Sequence, residues 1–139
     1  FGLLGAEANK ISPGKRPLSS MSPTIVMKNN ELFFTTGSPG GSRIISAVLQ
    51  SILNIIDFEM NLEEATYAKR IHHQWQPDIL EIELSIDDKI KSELEAMGYE
   101  IRIRRPLTCI QTIMYKNKMY SGYGDFRRPD AFASGNIND

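Results

Sequence analysis

Leu32-Phe33-Phe34-Thr35-Thr36-Gly37-Ser38-Pro39-Gly40-Gly41-Ser42-Arg43-Ile44-Ile45 decides how the rest of the chain is read. Residues 32–36 are β-prone and empty into a run of glycine, serine and proline. From there Ile44, Ile45, Val48, Leu49, Ile52, Ile55 and Ile56 recur at three- and four-residue steps. That spacing predicts an amphipathic helix with a wide apolar stripe, and its isoleucines predict burial against a sheet. The stretch is therefore strand, glycine loop, helix. Adjacent glycines let backbone approach a bound group, and the first helical turn leaves N–H groups unpartnered at the positive end of the dipole. Such a loop suits a phosphate, a carboxylate or a developing oxyanion, and it serves equally as a bare strand-to-helix turn. It is not a Walker loop, because no Gly-Lys-Ser/Thr follows and Arg43 stands there instead. The glycine spacing does not fit a dinucleotide fingerprint either.

Upstream, β-prone residues 24–27 and 32–36 flank Lys28-Asn29-Asn30-Glu31, which predicts a hairpin. Residues 1–23 carry Gly2, Gly5, Pro13, Gly14, Pro17 and Pro23 and are expected to be mostly loop. Within them lies Lys15-Arg16-Pro17-Leu18-Ser19-Ser20-Met21-Ser22-Pro23-Thr24. Three serines between two prolines sit on restricted backbone. Their hydroxyls can donate to a carboxylate, with Lys15 and Arg16 adding positive charge; a generic polar loop is the other reading.

Downstream, Asn61 and Glu64 have capping-box spacing and predict a second helix. A third is expected over residues 86–97, with Ser85 as N-cap, Gly98 as the left-handed stop, and Ile86, Ile90, Leu94 and Met97 facing inward. Leu80, Ile82 and Leu84 alternate with Glu81 and Glu83; Tyr99, Ile101 and Ile103 alternate with Glu100, Arg102 and Arg104. Residues 109–115 and 119–123 flank Lys116-Asn117-Lys118 as a last hairpin. The order β-β-α-α-β-α-β-β-β predicts an α+β domain over 1–139, a mostly antiparallel sheet with helices packed on it. Residues 129–139 are polar and are expected to fray.

The 139 residues are 41% hydrophobic and 24% charged, enough for a core, with a formal net charge of −1. That balance argues against a general nucleic-acid or membrane-surface binder. Residues 78–95 are mostly acidic, whereas 102–105 and Arg127-Arg128 are basic; solvated faces account for such runs. The lone Cys109 permits neither an intramolecular disulfide nor a cysteine metal cluster and reads as buried packing. No apolar run reaches the roughly 18 residues that span a bilayer. In Ile71-His72-His73-Gln74-Trp75-Gln76-Pro77 the adjacent histidines point to opposite sides, which disfavours a shared metal and predicts a hydrogen-bonded corner with Trp75 packed into it. Asp87 and Asp88 fit a helix start. No G-x-S-x-G elbow supports a serine nucleophile.

In order, the block at residues 15–26, the block from Thr36 to Ile44 and His72-His73-Gln74-Trp75 resemble the small subunit of γ-glutamyltranspeptidases, densely over residues 2–78 and more loosely to 128. The resemblance implies an N-terminal-nucleophile hydrolase, an αββα sandwich matured by self-cleavage into two subunits. A threonine at the new N-terminus attacks the γ-glutamyl amide of glutathione-like substrates, its own amine serving as base, and water or an amino acid or peptide acceptor resolves the acyl-enzyme. By the same match Ser19 and Ser20 bind the glutamyl α-carboxylate, and the Gly40 and Gly41 N–H groups form the oxyanion hole, commonly worth about 3 kcal/mol per donor. No metal or organic cofactor is implied. The resemblance further implies the large subunit of the same precursor as partner and a periplasmic or secreted location. The nucleophile is expected upstream of Phe1, so the chain alone is expected to be inactive. Asp125-Phe126-Arg127 stands where the family shows Asp-Pro-Arg. A non-catalytic anion-binding module and a partner-dependent interaction fragment are the alternatives.

Overall fold

A computed structural model describes residues 5–135; the start of the breaker-rich run, with Gly2, and the tail residues 136–139 lie outside the described residues. Strands β1 (Thr24–Lys28) and β2 (Glu31–Gly37) form the first hairpin, turning at Asn29 and Asn30 with φ of 53° and 65°. Two consecutive left-handed residues are what a tight hairpin turn needs, and Asn tolerates that backbone well. Strands β6 (Gln111–Lys116) and β7 (Met119–Gly124) repeat the device at Asn117 and Lys118. The four strands make one antiparallel sheet in the order β1-β2-β6-β7.

Helices α1 (Arg43–Ile56) and α2 (Leu62–Tyr67) cover one face of it. Phe34 and Met114, directly paired across β2 and β6, pack with Ile55, Leu62 and Ala65. Ile44, Ala47, Val48 and Ile110 form a second cluster under the helix start. The capping box forms as its spacing requires: Asn61 Oδ1 accepts from the Glu64 amide and Glu64 Oε2 from the Asn61 amide, both at 2.9 Å. Only one flank of the α1 stripe is buried. Ile45, Leu49 and Ile56 are exposed, as are Ile25 and Ile113 on the opposite face of the sheet. The isoleucine stripe is thus wider than the surface this chain offers it.

The single sheet expected from the element order is two sheets. The second has the order β3-β4-β5, from β3 (Ile71–His72), β4 (Leu80–Glu83) and β5 (Ile101–Arg104). Its β4–β5 pair is parallel because α3 (Asp88–Ala96) provides the crossover that parallel neighbours need. Asp87, not Ser85, caps α3, accepting from the Lys89 amide at 2.8 Å, and Gly98 ends it at φ 96°. The inward face expected for α3 is not buried here: Ile90 and Met97 are exposed and no residue of the helix is buried. Residues 131–133 do not leave the fold. They pass back along β7, where a Cβ added at Gly124 would meet the Ala131 backbone.

Candidate functional site

The loops of interest gather at one end of the four-stranded sheet. Thr24 pairs with Thr36, Gly37 with Gln111, and Gln111 with Gly124. The serine loop therefore enters β1, the glycine loop leaves β2, Thr108 and Cys109 lead into β6, and Asp125 follows β7, all at the same end. The Thr36 and Thr112 hydroxyls bond at 2.8 Å below them.

In the glycine loop, Gly40 and Gly41 take φ of 136° and 60°. The first is open to almost nothing but glycine, and a Cβ there would lie 2.9 Å from Thr108 Oγ1. The Gly40 carbonyl accepts from the Arg43 amide at 3.2 Å and the Gly41 carbonyl from Ile44 at 3.1 Å, which starts the helix. Carbonyl and N–H of a trans peptide point in opposite directions, so the Gly41 N–H is aimed away from α1. Among the described residues no hydrogen bond engages the N–H of Gly40 or Gly41. On the far side of the pair, the Ser42 hydroxyl donates to Gln74 Oε1 at 2.6 Å, tying the loop to the histidine corner.

In the serine loop, Ser19 Oγ accepts from the Met21 amide at 3.2 Å and keeps its own proton to donate. The Ser20 carbonyl accepts from Ser22 Oγ at 3.2 Å, while no hydrogen bond among the described residues occupies the Ser20 hydroxyl. Lys15 is not turned toward these serines: its ammonium donates to the Glu7 and Ala8 carbonyls at 3.2 and 2.9 Å. Arg16 is exposed.

The histidine corner is hydrogen-bonded as expected. His72 is buried; Gln74 Oε1 can only accept, so His72 Nε2 donates to it at 2.9 Å, and Nδ1 accepts from Ser46 Oγ at 2.7 Å. His73 Nδ1 accepts from the Trp75 amide at 3.1 Å, leaving Nε2–H for Asp78 at 2.9 Å. Trp75 itself is not packed into the corner. Its side chain is exposed and its φ is 68°; the amide, rather than the ring, is the anchor.

Solvated faces describe most of the charge runs, with Asp78, Asp87, Asp88, Glu93, Arg102, Arg105 and Arg128 exposed, but not the two glutamates of β4. Glu81 and Glu83 are buried on β4, each held by arginine. Arg43 and Arg104 grip Glu81 at 2.6 and 2.7 Å. Burial pushes the Glu81 carboxyl up, but hydrogen bonds and charge from Arg43 and Arg104 outweigh it and hold it at about 2. A second cluster joins Arg70, Asp125, Arg127 and Glu83. Asp125 accepts from Arg70 at 2.9 Å, Arg127 Nη1 at 3.0 Å and the Ile110 and Arg127 amides at 2.8 and 3.1 Å; Arg127 Nε meets Glu83 at 2.6 Å. Burial opposes ionisation of Asp125, yet these amides and cations bring its carboxyl below the usual range. The Phe126 that separates Asp125 from Arg127 lies outside, edge-on to Tyr67 at 5.4 Å.

Glu81 gives the fold a defined acid limit. Its folded value lies below the ordinary 4.5, so its contribution to stability is complete above about pH 4.5 and disappears as pH falls toward 2; the shift corresponds to on the order of 3 kcal/mol. In the full-length protein, denaturation midpoints should fall over that window, and Glu81→Gln should flatten the fall while lowering stability at neutral pH. Parallel curves for the two proteins would remove Glu81 as the titrating group.

Sequence reasoning found both loops but missed Thr108, Ser38, Arg70 and the pairing of the buried glutamates. The Asp-x-Arg at 125–127 was a usable signal for the second cluster. Nothing local marks Thr108, because its partners in the glycine loop are distant in the chain: the Ser38 and Thr108 hydroxyls meet across 70 residues.

Residues 1–135 match the family described as Gamma-glutamyltranspeptidase. The glutathione hydrolase proenzyme of Escherichia coli is 45% identical over 137 residues, covering 97% of this chain and 23% of that protein. A point mutant of Helicobacter pylori γ-glutamyltranspeptidase superimposes with a TM-score of 0.85 at 48% identity, covering 91% of this chain and 70% of that one. The Pseudomonas nitroreducens γ-glutamyltranspeptidase complexed with L-DON gives 0.89 at 37%, over 99% and 72%. The chain spans about a quarter of the length of the curated relatives. The α+β fold expected from the sequence is that of these structures.

Proposed function

Because the chain belongs to the γ-glutamyltranspeptidase family, we propose that it is the glutamyl-receiving part of a γ-glutamyltransferase or glutathione hydrolase. The enzyme would cleave γ-glutamyl amides and pass the glutamyl group to water or to an amino acid or peptide acceptor. One observation carries this reading: Gly40 and Gly41 present two unengaged amides in a loop at the same sheet end as the serine loop. A threonine nucleophile from the rest of the polypeptide adds to the amide carbonyl. The carbonyl oxygen gains negative charge, to which the Gly40 and Gly41 N–H groups donate hydrogen bonds; collapse of the tetrahedral intermediate then breaks the C–N bond and the protonated amine leaves. The acyl-enzyme ester then yields to water or an acceptor amine.

Ser19 and Ser20, with hydroxyl protons available, bind the glutamyl α-carboxylate in this scheme. The exposed apolar residues Ile45, Leu49 and Ile56 on α1 and Ile25 and Ile113 on the sheet support a covering layer from the other subunit of the same precursor. The proenzyme status of the E. coli relative agrees with that. A periplasmic or secreted location belongs to the same proposal and is checked by cell fractionation.

The test uses the full-length protein and a chromogenic γ-glutamyl anilide. Hydrogen bonds to a charged group are worth about 1.5–3 kcal/mol, so Ser20→Ala should raise KM roughly 10- to 100-fold with a much smaller change in kcat. An unchanged KM would remove the carboxylate assignment. No anilide release by the wild type would remove the enzymatic reading.

A further inference from the structure

We infer that Thr108 is a positioning residue for the oxyanion site: by holding the Pro39 carbonyl it sets the direction of the Gly40 N–H. The inference rests on the reading of Gly40 as an oxyanion donor. The Thr108 hydroxyl donates to the Pro39 carbonyl oxygen. Beside it the Ser38 hydroxyl sits against Thr108 Oγ1 and within reach of two carbonyls, those of Pro39 and Cys109, each at 2.8 Å, so it backs the Thr108 hold on Pro39. The Pro39–Gly40 bond is not among the cis peptides, so its carbonyl and N–H point in opposite directions. With the carbonyl tied to Thr108, the Gly40 N–H faces away from Thr108 and out of the loop. It is also unengaged by any described residue.

The clamp is needed because glycine makes the alternative cheap. Rotation of the Pro39–Gly40 peptide turns the Pro39 ψ and the Gly40 φ together; the proline ring fixes φ but not ψ, and glycine tolerates both signs of φ. In the rotated state the Pro39 carbonyl would turn outward and repel the charge that the N–H attracts. Thr108 can resist that rotation because it is itself fixed. It is buried, its carbonyl accepts from Arg70 Nη1 at 3.3 Å, and two residues on the Ile110 amide donates to Asp125 at 2.8 Å. The contact is also close-fitting, since a Cβ on Gly40 would lie 2.9 Å from Thr108 Oγ1. With its hydroxyl committed to Pro39, Thr108 acts through the peptide it holds.

Three variants of the full-length protein test this, with rates per self-cleaved enzyme on the γ-glutamyl anilide. Thr108→Val keeps the shape and removes the hydroxyl. One oxyanion donor is worth about 10²–10³ in kcat, so disorienting it should cost about 10- to 100-fold in kcat with KM within about threefold. Thr108→Ser restores the hydroxyl and should return kcat to within about threefold of wild type. A wild-type kcat in Thr108→Val, or an equal loss in Thr108→Ser, overturns the inference. If Thr108→Val does not accumulate as folded protein, Thr108→Ala, which removes the hydroxyl without adding bulk, decides: a kcat loss of about fivefold or more at constant KM sustains the clamp, and an unchanged kcat overturns it. Wild type without γ-glutamyl activity overturns the enzymatic reading itself, an outcome distinct from any difference between variants.

Discussion

Gly40→Ala in the full-length protein is expected to lower kcat on a γ-glutamyl anilide by about 10²–10³, the loss of one oxyanion donor, while KM changes little. Two independent features of the position converge on that result. Its φ of 136° lies where an alanine is strained whatever the surroundings. Its Cβ would also come within 2.9 Å of Thr108 Oγ1 and 3.3 Å of Thr108 Cβ, side-chain atoms of a buried residue with no room to retreat. The loop must therefore rotate away, which breaks the Thr108 bond to Pro39 and swings the amide off its line. Gly37→Ala is the internal control. A Cβ there meets nothing within 4 Å and Gly37 has no positive φ, so that variant should retain kcat within about threefold. Equal losses in both variants would show that the loop is merely fragile, and a fully active Gly40→Ala would remove Gly40 from the oxyanion site.

What could be read from the sequence, and what could not, divides along physical lines. Local chemistry was legible: the asparagine-bearing turns of both hairpins, the Asn61–Glu64 capping box, the Gly98 stop and the glycine loop before α1 all form from neighbours in the chain. Periodicity was legible too, but it reports only which side chains share a face. Whether anything covers that face is a tertiary fact, so Ile45, Leu49, Ile90 and Met97 were read as inward and are exposed. The charged residues failed in the opposite direction. Glu81 and Glu83 alternate with apolar residues as if half-solvated, yet Arg43, Arg104 and Arg127 reach them and allow their burial. No composition rule identifies a carboxylate whose cations come from other elements. The candidate site divides likewise: its loops were visible in the sequence, whereas Thr108, which fixes one of them, was not.

The largest stability effect is expected at Asp125, and it reaches the glycine loop through a continuous set of contacts. Asp125 is completely buried and is the only carboxylate bonded to the Arg70 guanidinium among the described residues, while Arg127 divides itself between Asp125 and Glu83. Asp125→Ala would leave the Arg70 guanidinium, 4% exposed, with carbonyl partners alone, and would strip the Ile110 amide of its acceptor. Removing one partner of a buried pair costs about 3–5 kcal/mol because an uncompensated charge remains, a large share of the usual stability of a domain. Asp125→Asn should cost less, since its amide oxygen can still accept from Ile110. Arg70 and Asp125 also hold the backbone on either side of Cys109, through the Thr108 carbonyl and the Ile110 amide. Loosening them therefore loosens the Thr108 hydroxyl and with it the Pro39–Gly40 peptide. Accordingly, Asp125→Asn protein that remains folded should lose kcat in the same sense as Thr108→Val, and adding Thr108→Val to it should cost less than in the wild type. Equilibrium denaturation and a kinetic double-mutant cycle measure both halves of this expectation. Additive kinetic losses would show that the ion cluster and the clamp act separately, and an Asp125→Ala protein as stable as wild type would show that the buried charges are compensated in some other way.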